Sequence, residues 1–143
     1  MKKIVFILLT LTTILIIYSC IEISATRITV QITKGSGNNY YEINIYSNSN
    51  LSQNNTNNFT FSLNDQNNVL LETSSGRLER GYSTWTSYRN YVRGTYIIVV
   101  KIDMTGDNNI SSGGDVFSYK FVVITEDGNG TVSFSDLDNW YGL

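Results

Sequence analysis

The chain reads as an all-β protein: an antiparallel β-sandwich of about seven strands after an N-terminal signal segment. Three observations predict it. Apolar residues recur at every second position in run after run. Clusters of Gly, Asn and Asp separate these runs. No 3.6-residue apolar stripe follows the signal segment.

The runs follow in order. Ile28, Val30 and Ile32 alternate with Arg27, Thr29, Gln31 and Thr33, as in a strand with one buried face. Tyr41, Ile43 and Ile45 alternate with Glu42 and Asn44. Residues 47–58 are polar and read as a long exposed loop. Phe59, Phe61 and Leu63 alternate with Thr60 and Ser62 as a further strand, and Val69, Leu70 and Leu71 make a short apolar run. Residues 96–102 are apolar at nearly every position, which suits a central strand covered on both faces. Phe117, Tyr119, Phe121 and Val123 alternate with Ser118 and Lys120, and Val132 with Phe134 closes the set. Turn residues fill 35–38, 64–67, 106–109 and 127–130; the last reads as a hairpin turn. No internal repeat appears, so residues 27–143 form one domain, long enough to bury a core without disulfides.

Composition excludes whole classes of chemistry. There is no histidine, which removes the Ser-His-Asp triad, the Cys-His dyad and nearly all zinc sites. The net charge of −2 offers no basic field for nucleic acid. The acids Glu72, Glu79, Glu126, Asp136 and Asp138 are scattered, with no spacing that marks a catalytic pair, so no catalytic residue is named.

The N-terminus carries an address. Lys2 and Lys3 precede an apolar run from Ile4 to Ile17, the n-region and h-region of an export signal. The string Ile17-Tyr18-Ser19-Cys20 resembles the lipobox of bacterial lipoproteins. That resemblance implies a signal peptide over 1–19, lipidation of Cys20 as the mature N-terminus, and a tether over 20–26. It places the protein in the bacterial cell envelope, held to the membrane through its N-terminal lipid. More than one acyl chain makes such an anchor stable. Two alternatives stand beside it: cleavage after Ala25 to give a soluble secreted protein, and an uncleaved N-terminal anchor.

Residues 93–103, Arg-Gly-Thr-Tyr-Ile-Ile-Val-Val-Lys-Ile-Asp, resemble the "GxYxVxVxxD" strand of bacterial transthyretin-like sandwiches. The resemblance extends loosely over residues 94–134. It implies a transthyretin-like or immunoglobulin-like fold and no particular activity.

Two places could carry a site. The first is the 103–115 loop. Asp103, Thr105 and Asp107 stand at ligand positions 1, 3 and 5 of an EF-type loop, with Asn109 and a closing Asp115. Asn108 replaces the usual glycine, and Asp115 comes one residue late. The expectation is a calcium loop without its flanking helices; the competing reading is a solvated connection rich in turn formers. The second is the aromatic segment, where Tyr82, Trp85, Tyr88, Arg89 and Tyr91 are of types enriched at binding hot spots. They form either a binding surface for a protein or glycan, or a plug of Trp85 and one or two tyrosines in the core.

The sequence as a whole reads as an exported, lipid-anchored, non-enzymatic binding or structural module, calcium-stabilised if the 103–115 loop takes its ion. The alternatives are a secreted carbohydrate-binding module using exposed Tyr and Trp, and a small carboxylate-dependent hydrolase.

Overall fold

The computed structural model describes residues 25–143 apart from Ser36, Ser112, Glu126, Asp127 and Asn129. The signal segment and Cys20 lie outside the described residues. The strands among them are β1 (Ala25–Thr26), β2 (Thr29–Thr33), β3 (Tyr40–Asn48), β4 (Asn68–Arg77), β5 (Tyr82–Thr86), β6 (Tyr91–Val92), β7 (Gly94–Ile102), β8 (Val116–Ile124), β9 (Thr131–Phe134) and β10 (Tyr141–Gly142). The only helical element described is one 3-10 turn, Thr56–Asn58. None of the described helices is long and apolar enough to cross a membrane.

The chain folds as an all-β sandwich. A five-stranded sheet in the order β10-β8-β7-β3-β4 packs on a three-stranded sheet, β5-β2-β9, while β1 pairs with β6 at one end. All pairings are antiparallel except β2 with β9, where Val30 sits beside Val132 and Ile32 beside Phe134 in parallel register. The strand count exceeds the expected seven because three two-residue strands and β5 lie in segments with no apolar alternation.

Period-2 patterning explains the core. Val30 and Ile32 of β2, Ile43 and Ile45 of β3, Ile98, Val100 and Ile102 of β7, and Val132 and Phe134 of β9 meet between the sheets. Each fully buried side chain of this kind contributes about 1.5–3 kcal/mol. β7 is covered on both faces, as its near-continuous apolar sequence predicts. Its other face presents Ile97 and Val99 to a second cluster with Phe61.

That second cluster corrects two expectations. Residues 59–63 are not a strand. Phe59, Phe61 and Leu63 instead lie across the outer face of the larger sheet, where Phe61 packs on Tyr119 with ring centroids 5.1 Å apart. Their alternation reflects one side facing the sheet without any partner strand. The preceding stretch is not a free loop throughout, because Leu51 joins the same layer.

The 127–130 turn is likewise not a hairpin. β8 and β9 belong to different sheets and do not pair with each other. Strand pairing also reaches into the expected tether: Ala25 pairs with Val92 and Thr26 with Tyr91. Gly81 shows why one glycine is required. Its φ is +81°, and an added Cβ would strike the Gly35 carbonyl across the β2–β3 connection.

Candidate functional site

The aromatic segment is divided by strand alternation. In β5 the side chains of Ser83 and Trp85 turn inward, while Tyr82, Thr84 and Thr86 turn outward. Trp85 packs against the main core and Tyr91 is buried within it. Tyr88 and Arg89, in the β5–β6 loop, are exposed, Tyr88 by 74%. The five residues therefore do not form one surface. Tyr82 lies at the far end of β5, and Tyr88 meets Trp85 edge-on, with centroids 6.1 Å apart.

What organises this end of the sandwich is Glu72, which sequence reasoning passed over. It sits on the core-facing side of β4, opposite Ile45, and is only 8% exposed. Its carboxylate takes two hydrogen bonds. The Tyr88 N–H donates to Oε1 at 2.7 Å, and the Tyr91 hydroxyl donates to Oε2 at 2.8 Å. A buried charge needs such partners. The carboxylate thereby clamps the β5–β6 loop to β4. Ser87 secures the loop from the other side, accepting from the Ile28 N–H at 2.9 Å and donating to the Arg89 carbonyl at 2.8 Å. Burial, followed by the bond to Glu72, raises the pKa of Tyr91 well above the ordinary phenol value.

Between β4 and this loop lies a cleft of about 360 Å³, lined by Leu70, Leu71, Glu72, Thr73, Tyr88 and Arg89. Four consecutive β4 residues line it, so it runs along the strand's edge. Among the described strands β4 pairs only with β3, so this edge is unpaired there. A β-bulge at Leu71 interrupts the register, because Ile45 faces Glu72 whereas Tyr46 faces Leu70. Beside the bulge Leu70 is 51% exposed.

The 103–115 loop joins β7 to β8. Asp103 and Asp115 are both fully buried and both surrounded by donors. Asp103 accepts from the Thr105 hydroxyl at 3.0 Å, the Gly106 N–H at 2.6 Å and the Asn108 N–H at 2.7 Å. Asp115 accepts from the N–H groups of Met104 at 2.8 Å and Ser111 at 2.8 Å. Burial pushes the Asp103 pKa up, but the bonds from Gly106, Asn108 and Thr105 outweigh it and hold the carboxyl below its usual range. Asn108 adopts φ of +64°, the left-handed backbone that glycine supplies at this position of an EF-type loop. Asp107 and Asn109 are exposed, and the Asp107 carboxylate is taken by the Asn109 N–H at 2.9 Å. Of the five candidate ligands, Asp103, Thr105 and Asp115 converge, and Asp107 and Asn109 stay outside. Among the described residues no three His, Cys, Asp or Glu side chains gather to hold a metal.

Another aromatic surface emerges on the outer face of the larger sheet. Tyr119 of β8 and Tyr141 of β10 lie with ring planes 22° apart and centroids 6.1 Å apart. They border a cavity of about 200 Å³ with Ser118, Lys120, Asp138 and Asn139. Lys120 and Asp138 form an ion pair at 2.7 Å. Trp140 packs instead on the main core, its indole N–H donating to the Ser135 carbonyl at 2.9 Å.

In comparisons with known proteins, no family model, no curated protein and no solved structure matches the chain.

Proposed function

We propose that the protein is an exported, lipid-anchored envelope protein whose sandwich domain is a non-enzymatic binding module working through the cleft between β4 and the β5–β6 loop. The observation that carries the binding reading is the composition of that cleft. A clamped loop presents an exposed tyrosine ring and an arginine beside an apolar strand edge. Tyr and Arg on a rigid support are the residue types that dominate binding energy.

The anchored reading draws on the lipobox-like string ending at Cys20. β1 adds support, for cleavage after Ala25 would cut that strand between its two paired residues. The non-enzymatic reading draws on the sequence, which lacks histidine and spaces no two acids as a catalytic pair.

A glycan is the second reading of the ligand, at the other surface. The near-parallel Tyr119 and Tyr141 rings, bordered by Asp138 and Asn139, supply a stacking platform with hydrogen-bonding groups at its rim.

Trp85 fluorescence tests the main reading, because its ring touches Tyr88. The full chain in detergent, carrying Trp140→Phe to isolate the signal, is titrated with peptides and with oligosaccharides. A saturable change lost in Tyr88→Ala supports the cleft. A change insensitive to Tyr88 but lost in Tyr141→Ala moves the function to the outer face, and no change with either class overturns the binding reading.

A further inference from the structure

We propose that the β4 edge takes up an extended acidic-aliphatic peptide as a sixth strand of the larger sheet, with Arg89 pairing its carboxylates. The inference rests on the binding reading above and names its partner class. β4 is ten residues long and lacks proline and lysine, two residues that commonly blunt exposed edges. Beyond the bulge its register with β3 runs unbroken from Glu72 to Arg77. A strand edge of this kind offers main-chain donors and acceptors to an incoming chain, and pockets at its side choose the side chains. The pocket here lies between Leu70 and Tyr88.

Charge selects the peptide. The one acid on β4, Glu72, is buried and occupied by Tyr88 and Tyr91. Arg89 forms no ion pair with any of the described residues, and Arg77 at the far end donates only to neutral acceptors, Asn108 Oδ1 at 2.6 Å and the Asn38 carbonyl at 3.4 Å. Arg77 thus reaches back across β3 to the β7–β8 loop, and Arg89 is the cation that the edge presents without an anion among the described residues. A second copy of the chain is a poorer occupant, since its own β4 brings no exposed acid to meet Arg89.

The test uses the full chain in detergent and a blocked eight-residue peptide alternating Glu with Val and Leu. Controls carry Lys for Glu, or a central Pro. The expected result is binding with slowed amide exchange along 72–77. Arg89→Glu should weaken the Glu peptide at least tenfold and strengthen the Lys peptide, and the Pro peptide should not bind. A cooperative thermal transition in Arg89→Glu checks that the variant still folds, and Arg89→Gln, which adds no carboxylate beside Glu72, should also weaken the Glu peptide. Binding unchanged by Arg89→Glu, no protection along β4, or no binding at millimolar peptide overturns the proposal. In the last case an oligosaccharide that perturbs Tyr88 would leave the binding reading standing, and failure of both would remove it too.

Discussion

The Tyr91 hydroxyl donates to Glu72 Oε2 at 2.8 Å, tying the strand that follows the β5–β6 loop to the edge strand of the five-stranded sheet. Both groups are buried, so this bond closes one side of the sandwich. Removing the hydroxyl leaves a buried carboxylate with one donor fewer. Tyr91→Phe should therefore cost about 1.5–3 kcal/mol, as bonds to charged groups do. Urea unfolding of the variant measures it. Tyr88→Ala removes only an exposed ring and should cost well under half as much, because the Tyr88 N–H remains.

The same bond predicts an alkaline signature. Burial, then the bond to Glu72, raises the Tyr91 pKa above its unfolded value of 10.0. The folded state therefore holds this proton more tightly than the unfolded state does. Its contribution is complete below pH 10 and fades as pH rises through the folded value. Tyrosinate absorbance above pH 10 should show a late step as the domain unfolds, and Tyr91→Phe should shrink that step by one tyrosine.

Asp103 predicts the opposite limb. Its folded pKa lies below the unfolded 3.8, so its contribution is present above that pH and is lost as pH falls through the folded value. Asp103→Asn should lower the thermal midpoint at pH 7 and flatten its fall below pH 4. Because N–H donors compensate the charge, the loss at pH 7 should be equal in EDTA and in millimolar calcium. A midpoint that calcium raises only in the wild type would identify the loop as an ion site instead.

Three substitutions test the packing account. Ile98→Ala, at the centre of β7, should cost about 2–5 kcal/mol, whereas Leu137→Ala, at a side chain 96% exposed, should be near neutral. Gly81→Ala should cost more than about 2 kcal/mol, because it combines left-handed backbone with a blocked approach to Gly35. Calorimetric midpoints rank all three.

The strands with an alternating or continuous apolar pattern, β2, β3, β7 and β8, were legible because one or both of their faces are buried. β4 was visible only as Val69, Leu70 and Leu71, because beyond Glu72 an edge strand with a wet face needs no apolar residues. Residues 59–63 misled because covering a sheet and joining one impose the same period. The site was harder still. Glu72 looks like a solitary acid, and its partners Tyr88 and Tyr91 lie 16 and 19 residues away, joined to it by topology alone. The aromatic segment was visible as a composition, but the inward and outward turns of β5 decided which rings stay exposed.

The functional account depends on attachment at the membrane, and the intact mass of membrane-extracted protein tests that most directly. Expressed in a bacterium, the chain should begin at Cys20 with acyl chains added, and Cys20→Ala should lose both the added mass and the membrane association. An unmodified chain beginning at Thr26 would contradict the anchored account and make the domain a soluble secreted module.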